Sequence, residues 1–371
     1  MFFCVCSWQN NHAMNTKLKI FAFITFTLFA VAFFTPKGNT QTKTETAGQK
    51  FKSIKVLNDM PADQMGKVMN MMSASLGVDC KFCHASNDGD YEKEGNEHKD
   101  MARTMLKMTF ELNKNYFNGR PEINCNSCHK GISHPQPSFP LTPAVSQERP
   151  KQPEKKPLAE ELVAKFETAI GGKENLAKIN SRHIKAQRLE PDGKTTEAEE
   201  IWQKGNKILA TTTYPSKEYG DYIVSEIFDG KTASKFGNKS KIELKADEAE
   251  QIKREAQILL GDLKSIYNKM DYRVLDKING REVYWVNAVT ADNQRDRLYF
   301  DVETGFLVRR SSGTPTVLGN HVFQVDYLDY KDFGGVKLPT TIKYSMPQIY
   351  WTRKILEVKN NVNITDEKFV K

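Results

Sequence analysis

Cys80-Lys81-Phe82-Cys83-His84 and Cys125-Asn126-Ser127-Cys128-His129 are two copies of one pattern, Cys-x-x-Cys-His, in a chain of 371 residues. This pattern attaches c-type haem. Two thiols one helical turn apart each add to a vinyl group of one porphyrin, and the next residue carries an imidazole under the iron. Two c-type haems are therefore expected: one on Cys80 and Cys83 with His84 as iron ligand, the other on Cys125 and Cys128 with His129. A zinc ribbon or a pair of redox dithiols would also use two Cys-x-x-Cys pairs, but neither has a use for a histidine directly after each pair.

Upstream of each motif lies a helical stripe that ends at a glycine. Pro61 opens the first, and Met65, Val68, Met69, Met72 and Leu76 recur at helical spacing up to Gly77. Met101, Met105, Met108, Leu112 and Tyr116 trace the second, which Gly119 closes. Helix, turn and haem motif thus occur twice. A haem held by one histidine has an open sixth position, which a methionine thioether or a second histidine fills in electron carriers. Methionines on a helical stripe are ordinarily plain core, but each stripe here lies beside an iron that needs a ligand.

The block from about 54 to 134 resembles the cytochrome subunit of photosynthetic reaction centres, whose haem units are a methionine-bearing helix, a turn and then Cys-x-x-Cys-His. Its carriers are Met69-Asn70-Met71-Met72-Ser73-Ala74-Ser75-Leu76-Gly77 before Cys80, and Met101-Ala102-Arg103-Thr104-Met105-Leu106 leading to Cys125-Asn126-Ser127-Cys128-His129-Lys130-Gly131. The resemblance implies Met69 and Met105 as the distal iron ligands. Met72, Met101 and Met108 are the nearest alternatives, because a shift of one turn keeps a side chain on the same face; Met71 points off the stripe. His98 and His134 are candidates for bis-histidine ligation, with His183 and His321 far along the chain. The family's subunit carries four haem units against two motifs here, which suggests a shortened branch serving respiratory or other exported electron transfer.

The amino end reads as an export signal: a basic Met14-Asn15-Thr16-Lys17-Leu18-Lys19, an apolar run from Ile20 to Phe34, then Thr35-Pro36. The run is shorter than the ~20 residues of a spanning helix, so a cleaved signal is favoured over an uncleaved anchor. Residues 1–13, with Cys4 and Cys6, read as an upstream extension of the reading frame. Removing the signal leaves only the four motif cysteines and no structural disulfide. The expected location is the periplasm, in solution or anchored to the outer face of the cytoplasmic membrane. The expected order is signal or anchor 1–37, polar linker 38–52, dihaem domain 53–134, proline-rich linker 135–157 and a second domain 158–371.

In that second domain Leu158 to Ile179 reads as an amphipathic helix broken at Gly171-Gly172, with Leu162, Phe166 and Ile170 on one face, and a further helix is expected from Ala246 to Met270. Strand signals sit at 283–286, 298–300, 306–308 and 322–327. The phrases Phe300-Asp301-Val302-Glu303-Thr304-Gly305-Phe306-Leu307-Val308-Arg309-Arg310 and Asp329-Tyr330-Lys331-Asp332-Phe333-Gly334-Gly335-Val336-Lys337-Leu338-Pro339 are similar to those of exported lipoprotein-carrier domains. A hairpin turn and an edge-strand proline account for most of them physically. The expected fold class is multidomain: a small α-helical dihaem module, then an α+β domain with a mainly antiparallel incomplete β-barrel.

Asp88, Asp90, Glu92, Glu94, Glu97 and Asp100 form an acidic loop without the order of a calcium hand, and so read as a solvated or docking surface. Residues 53–134 hold ten Lys/Arg against eleven Asp/Glu, so the net charge of +8 arises outside the haem block. An anionic membrane surface or an acidic redox partner suits that excess better than nucleic acid does. In the second domain no nucleophile, paired carboxylates or phosphate loop has a spacing that argues for catalysis, so a scaffold or docking domain is favoured there, with ligand carriage second. The chain therefore reads as an exported dihaem c-type cytochrome that passes single electrons between exported or membrane-bound donor and acceptor proteins. The alternatives are a haem peroxidase or oxidase with one displaceable distal ligand, and a carrier of a hydrophobic ligand in the half-open barrel of the second domain.

Overall fold

Alternation of period 3.6 gives way to period 2 near residue 180, and the computed structural model follows that change. It describes residues 45–84, 90–135, 150–238, 240–244, 246–258 and 261–370. The expected signal, Cys4 and Cys6, Asp88 and Gly89 of the acidic loop, and the prolines at 137, 140 and 143 lie outside the described residues.

The amino-terminal helices are α1 (Ala47–Lys50), α2 (Met65–Leu76), α3 (Glu97–Tyr116) and α4 (Cys125–His129). A 3-10 turn at Ala62–Gln64 follows Pro61 and leads into α2, which ends where Gly77 takes a left-handed conformation at φ 66°. Asn96 caps α3 by accepting from the His98 amide at 2.9 Å. The polar composition of 38–52 conceals one core residue: Ala47 is fully buried, and its amide donates to Met60 O at 2.7 Å.

The second half begins with α5 (Ala159–Ala169) and α6 (Gly172–Ala177), which bury Leu162, Phe166 and Ile170 as their stripe requires. The strands β1 (Ser181–Leu189), β2 (Thr196–Lys204), β3 (Lys207–Tyr214), β4 (Tyr222–Phe228), β5 (Ala233–Phe236) and β6 (Lys241–Ile242) form one antiparallel meander. After α7 (Ala246–Ile258), a second meander follows as β7 (Tyr267–Ile278), β8 (Arg281–Thr290), β9 (Arg295–Asp301), β10 (Leu307–Thr316), β11 (Gly319–Asp332), β12 (Lys337–Met346) and β13 (Ile349–Asn360). Pairing of β1 with β13 joins the two into one sheet of thirteen strands, open at β6 and β7.

Two expectations need correction. The helix read from Ala246 to Met270 stops at Ile258, because Gly261 turns the chain at φ 76° and the β-branched and aromatic residues from Tyr267 onward enter β7. Pro339 lies in β12, an interior strand, but the ladder with β13 begins only at Thr341, so the proline is locally at an edge and costs no hydrogen bond. The hairpin reading of residues 300–310 matches the structure: buried Asp301 accepts from the Thr304 amide at 2.8 Å and its hydroxyl at 2.7 Å, which builds the β9–β10 turn.

Helices α5 and α7 pack on the sheet. Phe166, Ile252, Ala256, Val286, Leu298, Phe300 and Ile342 are buried in one cluster there. A cavity lined by Phe166, Ile170, Tyr327 and Tyr330 holds about 20 Å³, the space of about one water. The amino-terminal module has its own cluster of Ala47, Leu57, Met60, Val68 and Leu106, and its sixth buried member is Leu318, from the tip of the β10–β11 hairpin. Thr46 to Lys371 accordingly form one compact unit.

Candidate functional site

The stripe that puts Met65, Met69 and Met72 on one face of α2 also aims that face at the first motif. A cavity of about 790 Å³ lies there, lined by Met65, Met69, Met72, Leu76, Cys80, Cys83, His84, Ala102 and Leu106, with Glu243 and Leu244 contributed by the segment before α7. Its volume is within the range of cofactor pockets. The first motif forms a 3-10 turn, Cys80–Phe82, capped by Asp79, which accepts from the Lys81 amide at 3.1 Å. Burial pushes the Cys83 thiol up, which favours the neutral sulfur.

His84 Nδ1 donates to Tyr91 O at 3.2 Å. A backbone carbonyl can only accept, so the proton sits on Nδ1 and the lone pair of Nε2 is free for a metal. Burial is the main influence on this imidazole and lowers its pKa, with Lys99 and Arg103 acting the same way against the bond to Tyr91.

The second motif repeats the device. His129 Nδ1 donates to Ile132 O at 2.9 Å, again leaving Nε2 free. Here Cys-x-x-Cys lies on a true helical turn, α4, whose amino end is held by the reciprocal bonds of Asn124 and Ser127. Asn113, buried in α3, clamps the approach to this motif: its amide donates to Ile123 O at 2.7 Å and accepts from the Ile123 amide at 2.9 Å. Cys125 is half-buried, burial raising its pKa, while Cys128 is exposed. Along α3, Met105 is half-buried, and Met101 and Met108 are 59% and 44% exposed.

The two units touch through backbone. Gly131 N donates to Ser75 O at 2.8 Å, and a Cβ on Gly77 would lie 2.1 Å from Gly131 O. Only glycine fits at position 77, which also has a positive φ. Gly77→Ala is expected to cost more than the roughly 1–2 kcal/mol of the left-handed conformation alone, since backbone must move. Gly131→Ala, where the Cβ would meet nothing within 4 Å, carries only that conformational cost. Denaturant titration of both variants checks this, and equal losses would refute the steric part.

Thiols, an imidazole with its Nε2 free and thioethers on the wall of one largely apolar cavity are the donor set of a c-type haem, so the residues present fit that group. Among the described residues no three His, Cys, Asp or Glu side chains are grouped to hold a bare metal ion. Met71, read as off the stripe, is partly buried against the core, with its Sδ 3.5 Å from Thr316 Oγ1. His98 stacks on Phe82 with ring centroids 4.1 Å apart, and His183 stacks on Trp202 at 3.7 Å. His134 is exposed and His321 is buried in β11.

Sequence reasoning passed over the basic residues beside the first cavity. Arg103 donates to Glu94 through both Nη1 and Nη2 at 2.7 Å and to Ser53 O at 2.9 Å. Hydrogen bonds from Arg103, Lys55 and Lys99 hold the Glu94 carboxyl well below the usual range, so it keeps these contacts until the pH falls far under an ordinary glutamate pKa. The acidic loop is therefore tied to α3 on this side. Among the described residues no helix is long and apolar enough to cross a membrane.

Residues 24–169 match the family described as "Photosynthetic reaction centre cytochrome C subunit". The photosynthetic reaction center cytochrome c subunit of Roseobacter denitrificans is 30% identical over 112 residues, 27% of this chain and 30% of that protein. The chain thus spans under a third of the relative's length, and the resemblance of its amino-terminal part to a reaction-centre cytochrome c holds on that stretch. Among solved structures, a LolA superfamily protein from Nitrosomonas europaea is 15% identical with a TM-score of 0.41, covering 58% of this chain and 98% of the other. A DUF1329 family protein from Desulfovibrio piger is 11% identical with a TM-score of 0.36, at the same coverage.

Proposed function

We propose that this chain is an exported dihaem c-type cytochrome that accepts and passes single electrons. Cys80 and Cys83 would hold one haem and Cys125 and Cys128 the other, with His84 and His129 as proximal and Met69 and Met105 as distal iron ligands. The observation that carries the reading is the convergence of Met69, Cys80, Cys83 and His84 on one cavity, with His84 turned by the Tyr91 carbonyl so that Nε2 is free. When bound, haem supplies the one-electron iron couple. The residues attach and orient it, and the apolar wall of Met65, Met72, Leu76 and Leu106 excludes water from one face. Thioether ligation favours the reduced iron and raises the potential. The haem module 53–134 and the half-barrel domain 158–371, joined by the proline-rich 135–157, would form an electron carrier rather than an enzyme, placed in the periplasm by the signal at 1–37. Its donor and acceptor would be exported or membrane-bound proteins.

Two covalently bound haems per chain and two potentiometric waves followed by optical spectra are expected. Met69→His and Met105→His should each lower one potential and change that haem's ligation spectrum. If neither substitution does so, the distal ligands are assigned wrongly.

A further inference from the structure

We propose that Lys99 is a positioning residue for the first haem iron: by holding the Tyr91 carbonyl, it sets how strongly His84 donates to the metal. The inference rests on His84 being the proximal ligand. Residues 90–96 form neither helix nor strand, so no backbone ladder fixes the carbonyl that accepts from His84. A side chain does so instead. Lys99, in the first turn of α3 with only 12% of its side chain exposed, donates to Tyr91 O at 3.0 Å and to Lys93 O at 3.0 Å, and pairs with Glu94 Oε1 at 3.1 Å. An ammonium has three protons, and here each has an acceptor in the loop 91–94.

Tyr91 O therefore accepts twice, from Lys99 Nζ and from His84 Nδ1. A cation drawing on a carbonyl makes it a poorer acceptor for the imidazole N–H. The imidazole then has less anionic character and gives less density to ferric iron, which favours reduction. The charge of Lys99 acts in the same direction. In the second unit Ile132 O takes the histidine proton over a shorter 2.9 Å. The first haem should thus be the easier one to reduce so far as the proximal side decides.

The test is a potentiometric titration of the protein carrying both haems, with proton exchange at His84 Nδ1 followed by nuclear magnetic resonance. Lys99→Met should lower one wave and leave the other in place, changing the electron-exchange equilibrium between the two haems by about tenfold, or about 59 mV for one electron. Exchange at His84 Nδ1 should slow, because the carbonyl freed of the ammonium holds that proton more firmly, and Lys99→Arg should restore both. Lys99→Gln, which keeps a donor without the charge, should shift the same wave by less. Lys55→Met is the control for charge, because Lys55 pairs with the same Glu94 at 2.9 Å and lines the same cavity but has no bond to Tyr91 O among those described. Unchanged waves, equal shifts in both waves, or a Lys55→Met shift as large as that of Lys99→Met would overturn the proposal. Absence of covalent haem from the wild-type chain would instead overturn the functional reading, and the proposal with it.

Discussion

Arg353→Met is expected to lower the unfolding free energy by about 3–5 kcal/mol, the usual cost of removing one partner from a buried charge network. Arg353, in β13, is 7% exposed and reaches two acidic residues from different elements. Its Nε donates to Glu199 Oε2 of β2 at 2.7 Å, and its Nη1 meets Glu255 of α7 and donates to the Tyr344 hydroxyl at 2.6 Å. Burial alone would weaken its charge, but Glu199, Tyr344 and Glu255 outweigh burial and hold its pKa above the ordinary value. It stays charged at any working pH, so the loss should not depend on pH through this group. The substitution leaves the buried Glu199 carboxylate without its guanidinium, leaves the half-buried Glu255 with the Tyr344 hydroxyl, and unties α7 from the sheet. Denaturant unfolding followed by tryptophan fluorescence checks this, and a loss under about 1 kcal/mol would show that water enters to solvate the carboxylates.

Leu318→Ala should cost about 2–5 kcal/mol, although the residue sits at a hairpin tip where substitutions are ordinarily mild. Leu318 is 1% exposed, because the β10–β11 tip enters the core of the amino-terminal helical module beside Val68 and Leu106. Asn124 Nδ2 donates to Leu318 O at 3.3 Å, so the tip also supports the residue before the second motif. Thr316 Oγ1, 3.5 Å from Met71 Sδ, donates to Gly319 O at 2.7 Å and accepts from the Leu318 amide at 3.2 Å. Hydrogen exchange should show amides of α2 opening ahead of those in the sheet once Leu318 is shortened. A stability change within about 0.5 kcal/mol of wild type would mean that the tip only rests on the module.

What was legible and what was not divide by distance along the chain. Gly77 was readable as a helix end, and Leu162, Phe166 and Ile170 as one buried face, since each depends on neighbours within a turn or two. The helix expected to run to Met270 overran the stop signal of Gly261, and what lies beyond it is decided at a distance: the register with β8 makes Tyr267 a strand residue. Lys99 carried no signal at all, being one charge among many in an acidic stretch. Leu318 did carry one, because Val317-Leu318 places two apolar residues at a turn that is ordinarily polar.

The sequence by itself determined the groups on offer: two Cys-x-x-Cys-His motifs, each preceded by a methionine-bearing helix, followed by a long antiparallel half. These rest on covalent spacing and on the periods of helix and strand, which are local. Only the tertiary structure decided that Met69 and His84 share a cavity, that a lysine fifteen residues beyond His84 organises its carbonyl partner, and that a hairpin about 245 residues from α2 completes that helix's core. Such contacts follow from burying apolar surface and satisfying each buried polar group across the whole fold, and neither requirement leaves a period to read.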